Sequence, residues 1–352
     1  MCSPLSPGND SACSADAALG AVVRACPVDL VGRFRLDCSV DEERLRRHDL
    51  SGAEWARLER LLPRHPRQGH RWNDHRLVID GIFFRTRTGC PWRDLPERSG
   101  KWKTVYNRHR RWSGDGTWEM ILDRLRAGCD EAEGQGWTVA ADATVVRAHQ
   151  HAAGARRGPP ADIDPARLAP AVLSTPARSP RGGSGLRDRE ALGRSRGGLT
   201  SKIHLLADSR CRPLARVTSA GQRHDSLAFL PLMGQLKIAR RCPGRPRTCP
   251  GRVLCDKAYS NAAIRGHLRR RGIKAAIPEP ADQVRNRLRR GSRGGRPPAF
   301  DAAAYKQRNT VERAFCQLRQ YRAVATRYDK RDYVWRGTVD VASIRIWLRH
   351  PP

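Results

Sequence analysis

Acid is scarce in this sequence. Its 352 residues carry 35 Asp and Glu against 67 Lys and Arg, a formal charge of +32 at pH 7. Such a field draws polyanions and speaks to partners rather than to fold, and nucleic acid is the first partner to consider. The alternative is a solvated cationic surface on the product of a GC-rich, Arg-heavy gene, but the basic residues cluster. No apolar run is long enough to span a bilayer. The first residues lack the basic start and apolar core of a signal peptide, so a cytoplasmic protein with no membrane partner is expected. There is no Walker loop, no Gly-x-Ser-x-Gly elbow and no dinucleotide fingerprint. Eleven cysteines are present without a ligand rhythm, Cys242 and Cys249 being too far apart for a zinc knuckle, and they read as reduced thiols. His149 and His151 form an HxH, yet no two further ligands stand at a spacing suited to zinc.

Residues 1–47 are irregular and read as a flexible tail or as translation begun upstream of the true start. Residues 48–128 read as a helical domain that holds six of the nine tryptophans. Ser51 and Glu54 stand at capping-box spacing before HDLSGAEWARLERLL turns apolar. Further helices fit NDHRLVIDGIFFRTRTG, GKWKTVYNRHRRW and DGTWEMILDRLRAG. WTVAADATVVRAH is an apolar, β-branched run that predicts a buried strand. The Pro- and Arg-rich stretch 151–198 reads as a mobile insertion. LTSKIHLLADSRCRPLARVTSA predicts two strands about a turn at Asp208–Arg210. A helix over HDSLAFLPLMGQLKIA, a strand over RVLCDKAY, a helix over SNAAIRGHLRRRG and a strand over IKAAIPEP follow. A basic, Gly-rich loop spans 282–299, and a helix covers YKQRNTVERAFCQLR. Together, residues 136–352 predict a mixed α/β domain.

Two acids are out of place in this pattern. Asp142 lies inside VAADATVV and Asp256 directly follows VLC. An unpaired carboxylate there costs several kcal/mol, on the order of a buried ion, or stays protonated. Strand ends that line a polar cleft escape that cost, and a divalent cation relieves the repulsion of two neighbouring carboxylates. In the helix from Tyr305, the side chains of Tyr305, Arg308, Glu312 and Arg319 fall within about 60° of one another. Ala304, Val311, Phe315 and Leu318 form an adjacent apolar stripe. Arginine forks suit phosphate, and a carboxylate among them suits a metal. The competing explanation is an intrahelical Glu312–Arg308 pair at i,i+4 spacing.

Tyr305-x2-Arg308-x3-Glu312-x6-Arg319 resembles the Y-x2-R-x3-E-x6-K signature of bacterial insertion-sequence transposases of the DDE class, nearest the insertion-sequence "five" group of the four/five superfamily. GQRHDS, RVLCDKAYS, GRSRGGLTSKIHLLAD and RTGCPWRDLPERSGKWKTVYNRHRRW are similar to stretches of the same family, in the same order. The resemblance implies a ribonuclease-H-like core, a mixed sheet flanked by helices, preceded by a helical, helix-turn-helix-like DNA-binding domain. It implies Asp142, Asp256 and Glu312 as catalytic acids and metal ligands for two Mg2+ ions, with Mn2+ substituting. It implies double-stranded DNA partners, namely the element's terminal inverted repeats and a target. Hydrolysis at the element ends, transfer of the 3′-hydroxyls and a homodimer or larger assembly on DNA are also implied, in a bacterial nucleoid setting. A decayed or repurposed copy that only binds DNA is the alternative, and a structure-selective nuclease is a third possibility. Arg at 319 departs from the signature's Lys. Asp340 and Arg345 in the last helix depart from a mostly apolar family pattern and are expected to loosen its packing. Next to a nuclease core, KWKTVYNRHRRW suggests a major-groove helix whose Lys101, Lys103, Arg108, Arg110 and Arg111 reach DNA. Trp102, Val105, Tyr106 and Trp112 of the same helix are expected in the core. Arg287, Arg289 and Arg290 of the 282–299 loop are further candidate DNA contacts, with Tyr305, Arg308 and Arg319.

Overall fold

The computed structural model describes residues 48–64, 71–154, 190–195 and 197–352. The expected N-terminal extension and most of the expected insertion lie outside these. Helices α1 (Gly52–Glu59), α2 (His75–Thr88), α3 (Trp102–Gly114) and α4 (Thr117–Arg126) come first. The capping box forms: Ser51 Oγ accepts from the Glu54 N–H while Glu54 accepts from the Ser51 N–H. α2 stops at Gly89, whose φ of 69° is open to glycine without strain. Trp112 and Trp118 are buried with ring centroids 4.9 Å apart in a T-shaped contact, the arrangement aromatic quadrupoles favour.

The long central strand β1 (Thr138–Ala148) follows, then β2 (Gly193–Ser195), β3 (Gly198–Ala207) and β4 (Pro213–Ala220). Helix α5 (Phe229–Gly234), strand β5 (Arg252–Cys255), helix α6 (Ala262–Arg270) and strand β6 (Lys274–Ala276) complete the sheet's body. Its order is β4–β3–β1–β5–β6. β4, β3 and β1 are antiparallel, while β5 and β6 join the other side of β1 in parallel. This is the ribonuclease-H-like arrangement. Strands alternate their side chains between faces. Val139, Ala141, Leu206 and Val253 belong to one core with the side chains of α1–α4. Ala140, Val146, Ile203, Leu205 and Leu254 pack with Val311, Ala314, Phe315 and Leu318 of α8 (Asn309–Arg319). Residues 45–352 form one compact unit, and the core runs unbroken from the early helices into the sheet.

The last helix, α9 (Asp332–Arg349), joins these parts. Every residue from Asp332 to Leu348 is buried. It touches α1, α2, α3, α4, α8 and β4. Its crossing with α3 is close: a Cβ on Gly337 would meet Ser113 Oγ at 2.0 Å. The expected loosening by Asp340 and Arg345 is not found, because each charge has a partner. Asp340 receives two hydrogen bonds from Arg216 of β4, the Nε bond at 2.8 Å. Arg345 Nη2 donates to the Asp49 carbonyl at 2.7 Å and lies 3.2 Å from Glu54. Nearby, Arg327 in the short strand β7 (Thr326–Arg327) is wholly buried and donates to Glu190 O, Ser201 Oγ, Asp329 O and Lys330 O.

Two local expectations are corrected. The helix expected over 224–239 shrinks to α5, preceded by a tight turn at Asp225–Ala228. Pro231 is tolerated only in a first turn and Gly234 ends it. His224 caps that turn by accepting from the Ser226 N–H. The loop expected over 282–299 opens with helix α7 (Ala281–Arg289), acidic in its first turn and basic in its last, as the helix dipole prefers. Among the described residues no helix is long and apolar enough to cross a membrane.

Two outcomes follow from this interior. Asp340→Ala strands the Arg216 guanidinium and is expected to lower unfolding stability by about 3–5 kcal/mol, whereas Arg216→Met with Asp340→Leu recovers most of the loss; urea melts measure both. His109 joins α3 to α9 through Thr338 Oγ1 at 3.2 Å, and burial pushes its imidazole down to about 4. The folded state therefore excludes a proton that the unfolded chain takes up below its ordinary pKa of 6.5. Stability should fall as pH drops from about 6.5 to 4, and His109→Gln should flatten that slope in melts across this window.

Candidate active site

β1 and β5 run parallel, with Ala140 beside Leu254 and Ala141 beside Cys255. The next residues in register are Asp142 and Asp256. β5 stops at Cys255, and Asp256 turns the chain by accepting the Lys257 N–H at 2.7 Å. β1 continues for six more residues, to Ala148. Asp142 thus sits on the floor of a step left where its neighbour ends, at the carboxyl edge where open α/β sheets place their clefts. Its Oδ1 accepts the Ala143 N–H at 2.8 Å and its Oδ2 accepts from Arg308 Nη1 at 2.9 Å. Burial nevertheless pushes the Asp142 carboxyl above its ordinary range; the Ala143 N–H and Arg308 oppose the rise, and the Asp256 charge adds to it.

The third acid arrives on α8. The continuous helix expected from Tyr305 is broken: a short turn at Ala302–Tyr305 passes through a tighter one at Lys306–Arg308 before α8 begins. Val311, Ala314, Phe315 and Leu318 face the sheet as the apolar stripe predicts, and Glu312 stays half-exposed. Arg308 reaches both ways, with Nη1 on Asp142 and Nη2 on Glu312. The intrahelical pair therefore exists, but it is one arm of a bridge that also holds the strand acid. The Tyr305 ring lies 5.8 Å from the same guanidinium and 5.4 Å from Phe300. Arg319 Nη2 donates to Thr144 Oγ1. Thr144 was not singled out from the sequence; its signal was its place two residues beyond Asp142, on the same face of the strand.

A divalent cation suits the donor chemistry here, since carboxylate oxygens are the ligands that Mg2+ and Mn2+ prefer. The guanidinium between Asp142 and Glu312 marks where positive charge is stabilised. Among the described residues no three His, Cys, Asp or Glu side chains are gathered tightly enough to hold a metal ion.

The expected DNA contacts fall into two groups. Lys101, Lys103 and Arg111 are exposed on α3, and Arg289 and Arg290 are exposed at the end of α7. Arg108 is not on the surface: it is 6% exposed, bonded to His75 Nδ1 at 3.0 Å and stacked over Trp72 at 4.5 Å. Its charge is spent in the core, because it shares the helix face of Val105 and Trp112. Trp102, expected inside, is exposed. Arg110 Nε donates to the Tyr333 hydroxyl at 3.2 Å, and Arg287 pairs with Glu279. His149 and His151 lie against each other, 4.4 Å between centroids. Lys202 holds Asp225 at 2.7 Å, and the turn carrying Asp225 packs on the turn after Asp256.

Comparison with known proteins agrees with this geometry. Residues 133–337 match the family model described as "Transposase DDE domain", and residues 50–122 match one described as "Putative transposase of IS4/5 family". An uncharacterized protein of Sinorhizobium fredii is 40% identical over 106 residues, which are 30% of this chain and 80% of that one. A protein of Brucella ovis named "Putative transposase for insertion sequence element IS6501" is 26% identical over 151 residues, 43% of this chain and all of that one. A solved Mos1 pre-cleavage transpososome shares 12% identity at a TM-score of 0.22, covering 82% of this chain and 81% of that one; the fold assignment rests instead on the strand order. With the catalytic-domain match spanning more than half of its length, this chain belongs to the insertion-sequence DDE transposases, metal-dependent enzymes that act on DNA.

Proposed function

We propose that the protein binds the terminal inverted repeats of its own insertion sequence, hydrolyses phosphodiester bonds at the element ends and transfers the freed 3′-hydroxyls to target DNA. The observation that supports this most is that Asp142 and Asp256 each directly follow a paired residue of adjacent parallel strands, with the Arg308 guanidinium bridging Asp142 and Glu312. Asp142, Asp256 and Glu312 would hold two Mg2+ ions, with Mn2+ able to substitute. When bound, these ions supply Lewis acidity to the attacking and leaving oxygens. The protein's own part is positioning and charge. Asp142 is fixed by the Ala143 N–H. Arg308, once off the acids, presents a forked donor to a phosphate. Thr144 holds Arg319 on the same face, and Tyr305 supports Arg308 from beside its ring. Lys101, Lys103, Arg111, Arg289 and Arg290 offer exposed charge to the backbone, and the +32 charge steers DNA to it. Two ends must be joined, so a homodimer or larger assembly forms on DNA. Residues 48–128 would serve as the DNA-binding part and 136–352 as the catalytic part.

Two experiments test this. A labelled duplex carrying the repeats that flank the gene should be cut to 3′-hydroxyl ends with Mg2+, while Asp142→Asn and Glu312→Gln bind it and do not cut. Binding without cutting by the natural protein under any divalent metal would instead make this copy a DNA-binding remnant. Arg308→Ala removes the cation that competes for the acids. It should tighten Mn2+ binding, read by electron paramagnetic resonance without DNA, by about tenfold, the worth of one charge-assisted hydrogen bond of ~1.4 kcal/mol. Unchanged Mn2+ affinity would show that Arg308 does not share the acids with the metal.

A further inference from the structure

Beyond the acids, a second cluster of charge surrounds a small cavity. It lies where α2, the turn after α8 and the C-terminal end of α9 meet. About 60 Å3 of space is lined by His48, Phe83, Arg87, Tyr321, Arg345 and Arg349. One water needs about 10–15 Å3 of such space, so the cavity admits a small anion. Three guanidinium groups meet there, and Glu54 is the carboxylate near two of them, 3.2 Å from Arg345 and 3.7 Å from Arg349. One negative charge against three leaves an excess of positive charge.

The arginines are held in place before any ligand comes. Arg87 lies over the Tyr321 ring at 5.2 Å and donates to Gln320 Oε1 at 3.2 Å. Arg345 lies over the Phe83 ring at 5.3 Å. It is 6% exposed, and among the described residues its buried Nη1 has no hydrogen-bond partner. Stacking on aromatic faces lowers the ordering cost of the forks. Burial pushes the Tyr321 hydroxyl up in pKa, and Arg349, Arg345 and Arg87 pull it back, which places that hydroxyl within their field.

We propose that this cavity is a phosphate-group site and that its occupant is a backbone phosphate of the bound DNA. Charge names the source: on a protein that acts on DNA, the polyanion that meets three clustered guanidinium groups is the phosphate backbone. The assignment rests on the protein acting on DNA, but not on its cutting DNA.

The test is therefore a binding one, made on the full chain with a 30-base-pair duplex of arbitrary sequence. Fluorescence anisotropy between 50 and 300 mM KCl gives the slope of log affinity against log salt. Losing one phosphate contact reduces that slope by about 0.9. Arg87→Gln with Arg349→Gln should reduce it by about one unit and weaken all sequences alike, while Arg87→Lys with Arg349→Lys keeps it. The single variant Arg349→Gln, at the half-exposed position, guards against misfolding and should show part of the loss. A second arm measures thermal midpoints with inorganic phosphate at constant ionic strength. If phosphate stabilises the natural protein and not the double variant while the DNA slope is unchanged, the site takes a free anion and the DNA assignment is overturned. If neither slope nor midpoint responds, there is no phosphate site. A protein that binds the duplex but never cuts leaves this test intact.

Discussion

Seventeen consecutive residues of the last helix are buried, and four of them carry formal charge: Asp332, Arg336, Asp340 and Arg345, with Arg216 reaching in from β4 as a fifth buried charge. Removing such charges from water costs several kcal/mol each, and only close partners offset it. That requirement fixes geometry. Arg216 ties β4 to the helix, Arg345 ties the helix to α1 through Glu54, and Arg85 of α2 meets Asp329 just before the helix begins at 3.0 Å. Apolar contacts supply most of the stabilisation, but they tolerate sliding; the ion pairs do not. The helical segment and the sheet are held in one register because a shift would strand a buried charge.

The acids benefit from that rigidity. α8 packs between the sheet and the last helix, so Glu312 is held within reach of Arg308, which also bonds Asp142. Parallel pairing does the rest, since residues in register point to the same side. Asp142 is strained by burial and relieved by Arg308, whose two arms span strand and helix. The same residue that quiets the acids is the one with the best geometry for a phosphate. In the proposed reading, exchange of one role for the other would link DNA arrival to exposure of the acids.

Positive charge is not spread evenly in purpose. Arg108, Arg212, Arg216 and Arg327 are buried and structural, whereas Lys101, Lys103, Arg111, Arg289 and Arg290 face solvent. Arg87, Arg345 and Arg349 stand between these groups, the first two held by aromatic rings and the third beside Glu54, all bordering open space. The net charge of +32 already subtracts the acids that pair with buried arginines, so these internal pairs leave the excess intact.

Much was legible in the chain itself. The capping box at Ser51, the glycine stop at Gly89, the alternating strands and the spacing of Tyr305, Arg308 and Glu312 are local, and local periodicity and turn chemistry carry them. The order of motifs gave the family, and the acids stood out because a carboxylate inside an apolar strand has no cheap local explanation. What lay beyond the sequence was set by contacts between distant residues. Whether Arg108 faced DNA or the core depended on His75 at the start of α2 and Trp72 just before it. Whether Asp340 loosened its helix depended on Arg216, 124 residues away. The break before α8, the bridge of Arg308 to Asp142 and the ring of arginines at Tyr321 likewise exist only once the elements are packed. Pattern along the chain specifies which residues form each element; the partner of a buried charge is chosen in three dimensions, where desolvation decides which pairs must meet.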